Sequence, residues 1–265
     1  MSRRASLGLA SVLAAPLLAL ACAGSPAHAD IIYGLNSNGT QGIYEIDTNT
    51  GATTLVAATP SLAAADSAGN ALAYDAANNA FYYVRRTGTT NYFMRNAGGV
   101  ETTLGALGAT QPIFSGTFYN GHYWAVRNGA ANTALRLTPT ATGFTPALLA
   151  IGLPINSNFG DIASTDAGLT YASCTSGFFS FDLNTPGSPA TAISLAPSTD
   201  QIAFGNSGLF AIQGSDIYSV DLATGAKTFT ASTVADLSFN DLASVPTPGM
   251  LALLGLAGLG ARRWR

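Results

Sequence analysis

Phe239-Asn-Asp-Leu-Ala-Ser244 is the last of five related stretches, and the abrupt end of the pattern after it decides the fold. The same pattern stands at Phe159-Gly-Asp-Ile-Ala-Ser164, with looser copies at Ala71-Leu-Ala-Tyr74, Gly116-Thr-Phe-Tyr119 and Gln201-Ile-Ala-Phe204. Aligning Leu72, Thr117, Ile162, Ile202 and Leu242 gives steps of 45, 45, 40 and 40 residues. Each of the first four copies leads through a turn into a second strand pattern, such as Ala80-Phe-Tyr-Tyr-Val84 or His122-Tyr-Trp-Ala-Val126. Four short strands in a period of about 40–45 residues mark a β-propeller blade.

After Ser244 the chain runs straight into Val-Pro-Thr-Pro, so the fifth copy lacks its other three strands. The start of the body has the reverse defect. Ile31-Ile-Tyr-Gly-Leu35 resembles the second strand of a repeat, Leu169-Thr-Tyr-Ala-Ser173, with no first strand before it. Joined, residues 238–244 and 31–56 complete one blade and remove the exposed edges of an open array. The expectation is an all-β propeller of five blades closed by N- and C-terminal strands. Six blades is the alternative if residues 57–70 hide strands, and a β-sandwich would leave the complementary defects unexplained.

A second repeat supports the same unit. Ile43-Tyr-Glu-Ile-Asp-Thr-Asn-Thr-Gly-Ala-Thr-Thr-Leu55 is matched by Ile217-Tyr-Ser-Val-Asp-Leu-Ala-Thr-Gly-Ala-Lys-Thr-Phe229, and in part by Phe178-Phe-Ser-Phe-Asp-Leu-Asn-Thr-Pro-Gly187. A strand ends in Asp, the carboxylate accepts from the turn backbone, and a glycine takes the positive φ. Asp47, Asp182 and Asp221 thereby read as turn residues.

The two ends read as addresses. Arg3 and Arg4 precede an apolar stretch from Leu7 to Ala23, and Ala27-His28-Ala29 gives a small-residue cleavage site before Asp30. Residues 1–29 read as a secretory signal peptide cut by signal peptidase, with a lipoprotein site at Cys22 as the alternative. At the other end, Val245-Pro-Thr-Pro248 leads into thirteen apolar residues, Gly249 to Ala261, and Arg262-Arg-Trp-Arg265. As a helix that run covers about 20 Å against roughly 30 Å of bilayer hydrocarbon, and the arginines stop it from passing through. It is apolar on every face, unlike an amphipathic core helix.

This tail, residues 245–265, resembles the PEP-CTERM sorting signal of Gram-negative bacteria. Val245, Pro246 and Pro248 match its Val-Pro-Glu-Pro-like motif, Thr247 stands where the family usually has Glu, and Arg262, Arg263 and Arg265 form the Arg-rich end. The resemblance implies processing by a membrane exosortase, membrane contact through the tail before processing, and delivery to an exopolysaccharide-rich surface layer or matrix. It is confined to the tail and implies nothing about the activity of the body.

Between these ends lie about 215 residues, the β-propeller domain 30–244, with six basic against fourteen acidic groups and a net charge near −8. Such a surface repels nucleic acid, and no nucleic-acid partner is expected. Cys174 is the one cysteine left, so no internal disulfide forms, and its strand-like surroundings predict burial. His122 is the one remaining histidine. That excludes a His-rich metal centre, and the residue reads as a strand start beside the Asn120-Gly121 turn. No phosphate loop, dinucleotide fingerprint or calcium loop is present, so no cofactor, metal or catalytic residue is assigned.

Asp161 and Asp241 occupy equivalent repeat positions, which accounts for them without catalysis. A glycan-cleaving carboxylate pair is the alternative function. A candidate ligand surface is assigned to Arg85, Arg86, Arg95, Tyr123, Trp124 and Arg127, where aromatic and basic residues crowd two repeats. The expected function is an exported, surface- or matrix-associated non-enzymatic protein that binds extracellular polysaccharide or protein.

Overall fold

The computed structural model describes residues 30–245 apart from 65–66, 109–111, 128–132, 141, 155–159 and 235. The readings of residues 1–29 and 246–265 lie outside the described residues. Strands β1 (Ile31–Asn36), β2 (Gly42–Asp47) and β3 (Thr53–Ala58) are followed by a short 3-10 turn at Pro60–Ala63. The second repeat holds β4 (Ser67–Asp75), β5 (Ala80–Thr87), β6 (Thr90–Ala97) and β7 (Val100–Gly108). The third holds β8 (Ile113–Tyr119), β9 (His122–Arg127), β10 (Thr133–Pro139) and β11 (Phe144–Ala150). The fourth holds β12 (Gly160–Ser164), β13 (Leu169–Cys174), β14 (Gly177–Asp182) and β15 (Thr191–Ser194). The fifth holds β16 (Gln201–Phe204), β17 (Leu209–Gln213), β18 (Asp216–Val220) and β19 (Lys227–Ser232), after which β20 (Phe239–Ala243) completes the set.

These strands make five antiparallel four-stranded sheets, which is the five-bladed propeller expected from the repeats. Blade 1 has the order β20-β1-β2-β3, so the last of the described strands is the inner strand of the first blade. Tyr33 pairs with Ala243 and Leu35 with Asp241 across that seam. Residues 57–70 carry the end of β3, the 3-10 turn and the start of β4, and among the described residues they hold no further blade.

The core is divided among the interfaces between blades. Leu35, Ile43, Leu72, Phe81 and Tyr83 pack between blades 1 and 2, and Tyr82, Val84, Phe93, Tyr123 and Leu137 between blades 2 and 3. Trp124, Ile162 and Phe179 fill the next interface, Tyr171, Ile202 and Leu209 the one after, and Ile32, Phe210, Ile217 and Leu242 the last. Each fully buried aliphatic or aromatic side chain here contributes about 1.5–3 kcal/mol of transfer free energy. Both faces of a blade are covered by neighbours, which is why β9 and β13 are buried along nearly their whole length.

The repeated turns tie the blades together. Asp47 accepts from the backbone N–H of Asn49 and Thr50 at 2.8 and 3.1 Å, and Asp221 from those of Ala223 and Thr224 at 2.9 Å each. Asp182 accepts from Asn184 N–H at 2.8 Å. Gly51 closes the first turn at φ 73° and lies flat against blade 5, where a Cβ would stand 1.9 Å from the Ser232 carbonyl oxygen. The glycine is required twice over, by backbone conformation and by contact. Cys174 is buried and donates to the Gly177 carbonyl at 3.3 Å.

Candidate functional site

The five inner strands β20, β4, β8, β12 and β16 run side by side around the axis, so equivalent repeat positions form rings. The ring at the exit end is Tyr74, Tyr119, Ser164, Phe204 and Ser244. All five line a cavity of about 560 Å³, together with Asp75, Phe118, Asn120, Thr165, Asp166, Asn206, Ser207 and the chain exit at Val245. The repeat places an aromatic ring at this position in blades 2, 3 and 5 and a hydroxyl in blades 4 and 1.

Each aromatic is held from behind. Tyr74 packs on Tyr33 and Phe81 with ring centroids 4.8 Å apart, and its hydroxyl donates to Asn79 Oδ1 at 3.0 Å. Burial, followed by the nearby Tyr74 and Glu45, pushes the Tyr33 hydroxyl up to about 12. The Tyr119 hydroxyl donates to Asn184 Oδ1 at 2.6 Å. Phe204 meets Tyr171 edge-on at 5.8 Å, and Phe118 stacks on Tyr82 at 5.4 Å. Fixed rings of this kind offer flat apolar platforms without an ordering cost at the moment of binding.

The polar groups of the cavity are amides, hydroxyls and carboxylates. Among its described lining residues there is no Lys, Arg or His. Asp75 is committed to its own turn through Ala77 N–H, Asn78 N–H and Asn78 Nδ2, whereas Asp166 is exposed. The mouth therefore carries a negative field, suited to neutral or cationic ligands and unsuited to anionic ones.

Nearer the start of the inner strands lies the ring Ala71, Gly116, Asp161, Gln201 and Asp241. Asp161 and Asp241 meet in a side-chain hydrogen bond, and both are fully buried. Asp161 Oδ1 accepts from Ile162 N–H at 2.7 Å, and its Oδ2 from Ile202 and Leu242 N–H at 3.0 and 3.3 Å. Asp241 accepts from Ala71 and Leu72 N–H at 3.0 and 2.9 Å. Burial pushes both carboxyls well above the ordinary range, and the Asp161 charge pushes Asp241 further. Three N–H donors favour the charged form of Asp161, so the shared proton sits on Asp241.

The pair stitches four inner strands together. Ala71, at φ 60°, takes part through both backbone groups: its N–H donates to Asp241 and its carbonyl accepts from the Tyr123 hydroxyl. Gly116 has no room for a side chain at this level, since a Cβ would stand 2.6 Å from the Ala71 carbonyl oxygen. A carboxyl pair with no solvent exposure cannot meet a polysaccharide, so the glycan-cleaving assignment to Asp161 and Asp241 is not supported by their placement.

The surface assigned from aromatic and basic crowding is split up. Tyr123 and Trp124 are each only 2 % exposed and belong to inter-blade cores, which corrects their assignment to a ligand surface. Alternation along β5 sends Arg85 and Arg86 to opposite faces of blade 2. Arg85 lies over the Tyr92 ring at 4.3 Å, and Arg95 bonds the Tyr82 hydroxyl. Arg127 lines a separate groove of about 340 Å³ with Leu107, Leu135 and Leu148. His122 Nδ1 lies 3.0 Å from Thr138 Oγ1, and burial followed by Arg136 lowers its pKa. Among the described residues no group of three His, Cys, Asp or Glu could hold a metal ion.

The aromatic ring at the exit end was missed by the sequence reading. Its signal was present in the repeat alignment itself, two residues beyond Leu72, Thr117 and Ile202.

No protein-family model matches the chain, and no curated protein matches it. Solved structures do. One, described as "The de novo evolutionary emergence of a symmetrical protein is shaped by folding constraints", is 12% identical with a TM-score of 0.54, covering 83% of this chain and 99% of that one. A nidogen/laminin complex gives 9% identity, a TM-score of 0.48 and coverage of 81% and 97%. Virginiamycin B lyase from Staphylococcus aureus gives 13%, 0.45, and 76% and 69%. At 12% identity the likeness to the first of these is one of fold alone, and it is the pairing of the described strands that makes the body of this chain a five-bladed β-propeller.

Proposed function

We propose that this chain is an exported, non-enzymatic β-propeller, sorted through its PEP-CTERM-like tail at residues 245–265, that holds a neutral segment of extracellular polysaccharide in its central mouth. One observation carries the choice of site. Three fixed aromatic rings and two serines occupy a single repeat position around a cavity of about 560 Å³. Sugar rings present apolar faces and a rim of hydroxyls, which stacking platforms and neighbouring amides and carboxylates suit.

The acidic mouth selects against anionic polymers, and the dispersed arginines form no compensating basic patch. The sorting part of the reading is supported by the Val-Pro-Thr-Pro motif, the apolar run and the arginine end. It brings an exosortase-type enzyme and signal peptidase as processing partners and the cell surface or matrix as destination.

The test uses the purified body with the exopolysaccharide of the cells that make it, compared with alginate as an anionic control. Retention on the exopolysaccharide without new reducing ends, and weaker retention on alginate, is the expected result. Released oligosaccharide would favour a secreted glycan-cleaving propeller instead, and equal indifference to both polymers would remove the binding reading. Mass spectrometry of the exported chain tests sorting, since an intact C-terminal Arg265 contradicts processing.

A further inference from the structure

Both ends of the described body are fixed on the rim of the central mouth. Val245 donates its N–H to the Phe204 carbonyl at 3.0 Å, and Phe204 N–H donates to Ser244 Oγ at 2.9 Å. The Asp30 carboxylate accepts from the backbone N–H groups of Asn206 and Ser207. Phe204, Asn206, Ser207, Ser244 and Val245 all line the cavity. The end of β16 and the loop after it therefore anchor the last and first described residues of the ring at the lip of the site.

We infer that the face bearing the mouth is turned toward the lipid bilayer for as long as the chain carries its apolar tail, so that removal of the tail uncovers the site. The inference rests on the proposed sorting role of the tail, whereas the identity of the mouth's ligand does not enter it. Only Pro246, Thr247 and Pro248 separate Val245 from the apolar run that begins at Gly249. Four residues fully extended span at most about 14 Å. The headgroup layer takes up about 5–7 Å of that, which leaves under about 10 Å of water between lip and membrane.

Lipid adhesion does not contribute to this orientation. Asp30, Asp75 and Asp166 make the face acidic, and none of the lining residues is cationic. The short tether alone imposes the orientation, so lengthening the tether must abolish it. A polymer ligand meets an open mouth only on the released chain, and the site is kept empty during export.

The experiment uses residues 30–265, which hold all twenty strands, bound to neutral phosphatidylcholine vesicles and recovered by flotation. A cysteine is placed at the lip by Ser207→Cys and, in a separate protein, on the outer strand by Val100→Cys, a position 66% exposed. Cys174 is 1% exposed and stays silent. Both proteins are treated with a maleimide carrying a bulky polyethylene glycol.

With the native tail, labelling at position 207 is expected to be at least about tenfold slower on vesicles than for the chain ended at Val245, while position 100 labels alike in both. Inserting about 20 Gly/Ser residues after Val245, with an r.m.s. reach of about 25 Å, should restore labelling at 207 on vesicles. Equal labelling at 207 with and without the tail overturns the inference. So does protection of position 100 as well, or failure of the native-tail chain to float. None of these readouts involves a glycan, so a failed polysaccharide assay and a failed orientation remain separate results.

Discussion

The carboxyls of Asp161 and Asp241 meet at the axis of the ring in one hydrogen bond, and three of the five backbone N–H groups around them point at Asp161. That imbalance makes the two residues chemically different although the repeat makes them equivalent. Asp241→Asn keeps a donor toward Asp161 and an acceptor toward the backbone, so its cost in denaturant unfolding should stay within about 1 kcal/mol. Asp161→Asn sets an amide donor against backbone donors in a sealed site and should cost about 2–4 kcal/mol. Equal costs would show that the proton is not held on Asp241.

The same pair sets a pH dependence. Its native carboxyls hold a proton that the unfolded chain gives up above the ordinary Asp range, near pH 4. The native state then binds more protons than the unfolded state, so this contribution to stability falls as pH rises from about 4 toward the native titration of the pair, by at most about 1.4 kcal/mol per pH unit for one proton. Asp221 works the other way. The Thr224 hydroxyl and the turn backbone hold its carboxyl below the usual range, and the stability it adds is lost only as pH falls through that lowered value. Unfolding midpoints should therefore decline as pH rises above the ordinary Asp range for the natural chain, and more shallowly for Asp241→Asn.

Gly51 and Gly98 separate contact from conformation. Both have positive φ, but a Cβ at Gly51 meets the Ser232 carbonyl, whereas one at Gly98 meets nothing within 4 Å. Gly98→Ala should cost about 1 kcal/mol for the left-handed backbone alone. Gly51→Ala has to move blade 1 away from blade 5 as well, and should cost at least about 1–2 kcal/mol more. Parallel thermal melts of the two variants decide this.

Removing a platform from the mouth should weaken glycan retention and leave the fold intact. Phe204→Ala or Tyr74→Ala is expected to lower affinity about three- to tenfold each, the equivalent of about 1 kcal/mol for a lost ring contact. Phe229→Ala, on the exposed outer strand β19, serves as the control and should bind as the natural chain does. Affinity chromatography on the retained polysaccharide measures all three, and equal binding by every variant would take the site away from the mouth.

The repeats carried the blade number, the seam between β20 and β1, and the Asp-to-Gly turns. These are local patterns at fixed spacing, which is what a sequence displays directly. Tyr123 and Trp124 were misread because alternation along a strand separates two faces without saying what covers them. In a propeller a neighbouring blade covers each face, so neither face of β9 is left for solvent. The pairing of Asp161 with Asp241 depends on bringing blades 4 and 1 together at the axis, and no spacing along the chain expresses that. Tyr74, Tyr119 and Phe204 were legible in register, yet aromatic density drew attention to blades 2 and 3 instead.

The seam in blade 1 also imposes a schedule. Its inner strand is β20, and the carboxylate that holds Ala71 lies 170 residues further along the chain. Blades 2 to 5 can gather as they appear, but blade 1 waits with an open edge until the end of the body arrives. Contacts of such long sequence separation form late and slowly. A chain built this way stays unlocked while its earlier blades gather, and becomes a ring only once β20 has taken its place beside β1.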